Sequence, residues 1–163
     1  MSVVSNLTRI MSKNNCSNYT NNVKKLKLLD ATVQNLIREA TEARENAYCP
    51  YSKFKVGCAV LCADGTIFAG CNIENASFNV GVCAERCAYS KAISCGKLKF
   101  KAVAVVAYQE NSFPTPCGAC RQFISEFGDV DVYIAKPGHD DVLVLDLEKL
   151  LPYRFETVDH TFT

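Results

Sequence analysis

Hydrophobic positions change their period along this chain, and each change marks an element. Leu26, Leu29, Val33, Leu36, Ile37, Ala40 and Ala43 recur at three- and four-residue spacing. That spacing predicts an amphipathic helix, ended before Pro50. In KVGCAVLCADGTIFAGCNIE, residues 55–74, two apolar runs flank Ala63-Asp64-Gly65. Asp-Gly between strand-like runs predicts a hairpin. The first run is apolar on both alternating faces, so its strand should be covered on both sides. A helix follows over about 83–95, burying Ala84, Cys87, Ala88 and Ala92, with Gly96 as its stop. FKAVAVVAY, residues 100–108, is a further strand apolar on both faces. A loop with two prolines leads to Thr115 as N-cap and Pro116 in the first helical position. That helix should run to about Phe127 and stop at Gly128. VDVYIAK and DVLVLDL predict two more strands joined by a turn at Pro137-Gly138, and a short helix near 148–151 ends at Pro152.

The order α-β-β-α-β-α-β-β predicts an α/β chain with one mixed, five-stranded sheet between helical layers. Residues 1–24 are rich in Asn, Ser and Thr and lack periodicity, which predicts a flexible extension. Residues 25–163 are expected to form a single domain, and no repeat is visible. At 163 residues the chain is long enough for a real core. A formal net charge of +1 carries no electrostatic footprint for nucleic acid. No apolar run reaches membrane-spanning length.

Ten cysteines change the picture. In a secreted chain they would suggest a disulfide framework. The N-terminal MSVVSNLTRIMSKNN lacks the apolar core of a signal peptide. Cys58, Cys62 and Cys87 sit inside apolar segments, where free cysteine acts as a small hydrophobe. A reduced intracellular chain is therefore expected, with a secreted scaffold as the alternative. Asn6, Asn15, Asn18 and Asn75 each begin an N-x-S/T triplet, read as chance in that setting.

Cys117-x-x-Cys120 places two sulfurs one helical turn apart. Cys83, at another helix start, offers a third. Three protein ligands leave one zinc position open for water, the pattern of catalytic rather than structural sites. Three thiolates and Zn²⁺ leave one net negative charge. Two helix N-termini and the Arg86 guanidinium would offset it. Glu85 is a free carboxylate able to move a proton beside the metal. Residues two apart do not share a helix face, so Cys83 must sit at or before the first turn. Cys87, one turn on, is the alternative fourth ligand that would close the site and leave a purely structural zinc module.

Cys83-Ala84-Glu85 followed by Pro116-Cys117-Gly118-Ala119-Cys120 resembles the zinc deaminases. AYCPYSKFKVG, GCNIENASF, GVCAER and PCGACRQF together resemble the cytidine deaminase family, the free-nucleoside enzymes of pyrimidine salvage. These blocks stand in the family's order and cover about residues 30–155. The resemblance implies the three-layer α/β/α deaminase sandwich and one zinc ion per subunit. It implies hydrolytic deamination of cytidine and deoxycytidine to uridine and deoxyuridine. Water activated at the metal would attack the ring carbon bearing the amino group. Glu85 would protonate the neighbouring ring nitrogen and pass a proton to departing ammonia. Asn72 and Glu74 match the positions that hold the sugar hydroxyls, and Phe54 the aromatic that packs on the base. Main-chain groups of Ala84 and Cys117 would read the pyrimidine edge. Family members with three cysteine ligands are similar in forming homotetramers with shared active sites, and Ala76, Phe78 and Phe155 fall near the positions that reach a neighbour. A cytoplasmic or nuclear location follows from the same resemblance. Phe78, Asn79 and Cys87 stand where tyrosine, proline and threonine are common. A deaminase of another base or of polynucleotide is the nearest alternative; near-neutral charge and the Asn72/Glu74 pair favour a free nucleoside.

Overall fold

The structure, a computed structural model, describes residues 20–156. Six strands form one mixed sheet: β1 (Val23–Lys25), β2 (Val56–Cys62), β3 (Ile67–Cys71), β4 (Phe100–Ala107), β5 (Asp131–Ala135) and β6 (Asp141–Asp146). Their order is β1-β6-β5-β4-β2-β3. Only β4 and β5 pair in parallel; every other neighbour is antiparallel. Four helices cover the sheet: α1 (Ala31–Glu45), α2 (Ala84–Ser94), α3 (Gly118–Ser125) and α4 (Leu147–Leu150).

The layers follow from alternation. Cys58, Val60, Cys62, Val103 and Val105 face α2, α3 and α4. Ala59, Leu61, Ala102, Ala104 and Val106 face α1. Small residues on the α1 side let that helix lie close. At Gly57, an added Cβ would meet the Ala40 carbonyl at 2.0 Å. The central strands are thus covered on both faces, as their apolar runs predict. The hairpin forms around Asp64-Gly65: Gly65 has φ +90°, and Asp64 Oδ1 accepts from the Thr66 N–H at 3.0 Å.

The strand count and several boundaries need correction. The sheet has six strands rather than five. The extra one is β1, whose Val23, Lys24 and Lys25 pair with Leu143, Val142 and Asp141. It is three residues long and two-thirds lysine, the profile of a protected edge that carries no alternating apolar signal. Of the extension expected over 1–24, only residues 20–24 are described. Residues 1–19 lie outside the described residues, whereas Thr20–Asn22 form a 3-10 turn leading into β1. Finally, α3 is capped by Cys117 rather than Thr115. The Thr115 hydroxyl and the Pro116 carbonyl instead accept hydrogen bonds from Arg121. Likewise α1 begins only after Asp30, whose side chain accepts from the Thr32 and Val33 N–H groups at 2.7 and 3.1 Å. Leu26–Leu28 form a separate 3-10 turn.

Candidate metal centre and substrate cleft

Sheet topology brings the two cysteine-bearing helices to one edge. β3 and β4 both run antiparallel to β2, so both finish at the same end of the sheet. There Gly57 pairs with Cys71 on one side and Val106 on the other. α2 follows β3 and α3 follows β4, so both N-termini open on that edge. The path into α2 is pinned by reciprocal hydrogen bonds between Ile73 and Val82, both 2.9 Å. Cys83 comes next. α2 itself is seated on Gly70, where an added Cβ would lie 2.7 Å from the Ala88 nitrogen.

Cys83 and Cys117 are the N-cap residues of α2 and α3. Both are extended, and neither side chain caps its own helix. Their sulfurs stand 3.9 Å apart. With Cys120, they form a group whose ligand atoms all lie within 4.8 Å of one another. Zinc–sulfur bonds of about 2.3 Å in a tetrahedron require sulfur separations near 3.8 Å, so the trio fits a single Zn²⁺. Two unspent helix N-termini point positive ends at it. Cys87 stands outside the group and packs its Cβ against Gly70. Among the described residues, three protein sulfurs gather here and a fourth does not.

As an N-cap, Cys83 escapes the facing problem, and Glu85 two residues on turns inward. Glu85 is only 4% exposed, the one charged side chain among the buried described residues. Burial pushes its carboxyl above the usual range, with the Cys83 sulfur adding to the shift. Cys83 is the sulfur that ionises first. A hydrogen bond from Cys120 chiefly, and then the Arg86 guanidinium, hold it at about 5 against the opposing effect of burial. Cys120, the donor in that bond and buried, is pushed far up. Arg86 Nη2 lies 3.8 Å from Cys83 Sγ and donates to the Gly81 carbonyl at 3.2 Å. Its Nε is buried and finds no hydrogen-bond partner among the described residues.

In front of the sulfurs lies a cavity of about 480 Å³ lined by Phe54, Asn72, Glu74, Cys83, Ala84, Glu85 and Cys117, among others. Phe54 is 41% exposed. A neighbouring cavity of about 620 Å³ shares Ser52, Asn72, Glu74 and Cys83 with it but is walled by Tyr51, Phe78 and Arg86 instead of Glu85. The chemistry belongs to the smaller cavity, because only there do a buried carboxylate and the sulfurs face the same space. Asn72 Oδ1 accepts from the Val56 N–H at 2.8 Å, and its Nδ2 donates to the Phe54 carbonyl at 2.9 Å. Glu74 Oε2 accepts from the Tyr51 and Ser52 N–H groups at 2.9 and 3.2 Å. Those bonds, the Ser52 hydroxyl first, lower its carboxyl.

Ala76 and Phe155 line neither cavity. Phe78 is 79% exposed and edge-on to Tyr51, with ring centroids 6.0 Å apart. Phe155 is 76% exposed, with its main chain gripped at both ends by the Gln122 amide (2.9 and 3.2 Å). Two residues escape sequence reasoning. Ser52 sits between Glu74 and Phe54. Arg121 ties Thr115, Pro116 and Leu150 together at 2.9, 2.7 and 2.7 Å, fixing the approach to Cys117. An arginine directly after the second cysteine of C-x-x-C is the only signal for it.

Known proteins resemble this chain in sequence and fold. Residues 30–136, more than half of the chain, match the family model for the cytidine and deoxycytidylate deaminase zinc-binding region. The chain is similar to the cytidine deaminase of Sporosarcina psychrophila, 49% identical over 132 residues that cover 80% of this chain and 96% of that one. A probable cytidine deaminase of Dictyostelium discoideum is 43% identical over 127 residues, covering 78% and 86%. Among solved structures, the cytidine deaminase of Burkholderia pseudomallei aligns with a TM-score of 0.71 at 44% identity, over 75% of this chain and 98% of that one. Fold, sulfur cluster and family match agree, and this chain belongs to the cytidine and deoxycytidylate deaminase family.

Proposed function

We propose that this chain hydrolyses the amino group of cytidine and deoxycytidine, yielding uridine or deoxyuridine and ammonia, as a zinc enzyme of pyrimidine salvage. One observation carries the reading: a buried carboxylate, Glu85, shares a cavity with Cys83 and Cys117, two of three sulfurs spaced for one metal ion. Cys83, Cys117 and Cys120 would hold one zinc per subunit. When bound, zinc supplies Lewis acidity and lowers the pKa of water in its open position toward neutrality.

The chain's own groups then divide the work. Glu85, kept protonatable by burial, delivers a proton to the ring nitrogen beside the carbon that carries the amino group. It later hands a proton to the leaving ammonia. Water contributes the oxygen retained in the product and both protons, which Glu85 takes up in turn and passes on, one to the ring nitrogen and one to the departing amine, so atoms and charge balance. Main-chain groups of Ala84 and Cys117 read the pyrimidine edge. The Phe54 ring packs on the base. Asn72 and Glu74 hold the sugar 3′-hydroxyl, and a site built for that hydroxyl rejects an analogue lacking it. Arg86 offsets the excess negative charge of three thiolates. Residues 25–163 act as one deaminase domain. The assembly is a cytoplasmic homotetramer in which Ala76, Phe78 and Phe155 reach a neighbour's site; their exposure outside their own chain's smaller cavity favours that arrangement. No helix among the described residues is long and apolar enough to cross a membrane.

Ultraviolet-monitored cytidine turnover, with zinc content measured on the same sample, tests the reading. Glu85→Gln should keep its zinc and lose turnover by about 10²–10⁴-fold. A zinc-loaded wild-type protein with no turnover would refute it.

A further inference from the structure

One hydroxyl holds two walls of the cleft. Ser52 Oγ donates to Glu74 Oε1 and accepts from the Phe54 N–H at 3.0 Å. Between these contacts, Lys53 occupies the left-handed region with φ +58°, a conformation that disfavours residues bearing a Cβ. Ser52 therefore braces this turn together with the Lys53 N–H, which donates to the Cys49 carbonyl at 3.0 Å, and Phe54 leaves the turn into the smaller cavity. Glu74 is constrained by the same segment. Its two oxygens receive the Ser52 hydroxyl and the N–H groups of Tyr51 and Ser52. A carboxylate has about four acceptor positions, so roughly one remains for a ligand. Asn72 spends one N–H and one lone pair on the main chain of Phe54 and Val56. It keeps one donor of its own. One free acceptor beside one free donor suits a single sugar hydroxyl.

Resting on the nucleoside deaminase reading, we infer that Ser52 is a positioning residue for sugar recognition: its hydroxyl aims the remaining acceptor of Glu74 at the 3′-hydroxyl while fixing the turn that presents Phe54 to the base. Without that hydroxyl, Glu74 Oε1 gains an unsatisfied position and loses its fixed direction, although the Tyr51 and Ser52 N–H groups still hold Oε2. The Phe54 N–H also loses its partner. The sulfur trio and Glu85 ride on α2 and α3 and do not depend on this turn. The loss should therefore fall on binding, and on the part of binding that uses the sugar hydroxyl.

The test compares full-length, zinc-loaded wild type, Ser52→Ala and Ser52→Thr on deoxycytidine and 2′,3′-dideoxycytidine, the latter as substrate or competitive inhibitor. Zinc content and melting temperature are measured alongside. For Ser52→Ala, KM for deoxycytidine should rise about tenfold with kcat within about twofold, and the preference for the 3′-hydroxyl should shrink by about tenfold. Ser52→Thr, which keeps the hydroxyl, should recover most of both. An unchanged KM overturns the inference. So does an equal loss on the two nucleosides, or a threonine variant as impaired as alanine. A wild type inactive on both nucleosides would instead overturn the deaminase reading, and this inference with it.

Discussion

Cys83 shows how much a single side chain's setting can do. Its thiol would ordinarily be neutral at pH 7. A hydrogen bond from Cys120, together with the Arg86 guanidinium, holds it at about 5. The folded-state value is depressed, so the thiolate persists as pH falls from neutral until it is protonated near that value. In protein stripped of metal by a chelator, Cys83 should react with iodoacetamide as a thiolate at about pH 6, two units or so below an ordinary thiol. Arg86→Gln should slow that labelling; peptide mapping that found Cys83 silent at this pH would contradict the assignment. Zinc should protect all three sulfurs. Residues of this kind are legible in sequence because their types and spacing are chemically unusual together. Ser52 and Arg121 are not legible. They act through hydrogen bonds to main-chain atoms, and such bonds leave no periodicity and no motif.

At the scale of elements, the site depends on where two helices start and what they rest on. α2 lies against Gly70 with no room for a methyl group, since an added Cβ would sit 2.7 Å from the Ala88 nitrogen and 3.0 Å from Cys87 Cβ. Backbone on both sides cannot yield cheaply. Gly70→Ala should push α2 outward, destabilise the fold by about 1–3 kcal/mol, and carry Cys83 and Glu85 with it. A displacement of this order costs turnover about 100-fold. Urea unfolding and cytidine assays on the same variant check both numbers, and normal turnover would show that α2 is not held here. The hairpin, the central strands and the body of each long helix follow their hydrophobic periods. The boundaries shift where side chains intervene: Arg121 takes the hydroxyl and carbonyl that would have begun α3 early, and Asp30 delays α1. β1 escapes because two exposed lysines after a single half-buried valine resemble a loop.

Across the whole molecule, the exposed apolar surface bears on the proposed homotetramer. Tyr51, Phe78 and Val80 are exposed together beside the larger cavity, and Phe155 is held outward by Gln122 and by the Arg154–Asp129 pair at 2.7 and 3.1 Å. If Phe155 serves a neighbour's site, Glu85→Gln and Phe155→Ala are defects in different subunits of one shared site. In mixed assemblies about a quarter of the sites should then hold both residues intact, as the random combination of subunits predicts, and the mixture should turn over faster than either variant alone. No recovery in verified mixed oligomers would place Phe155 outside the site. The sequence alone marked the candidate chemistry: three sulfurs, a carboxylate and an arginine in recognisable blocks, and apolar periods sufficient for an α/β sandwich. These are local facts, carried by residue type and short spacing. Tertiary structure alone decided that β3 and β4 end together, so that Cys83 and Cys117, 34 positions apart, approach to 3.9 Å. It also decided that Cys87 faces Gly70 rather than the sulfur trio, and that Glu85 is buried. Convergence of this kind depends on strand direction and packing between distant segments, and no local pattern encodes either.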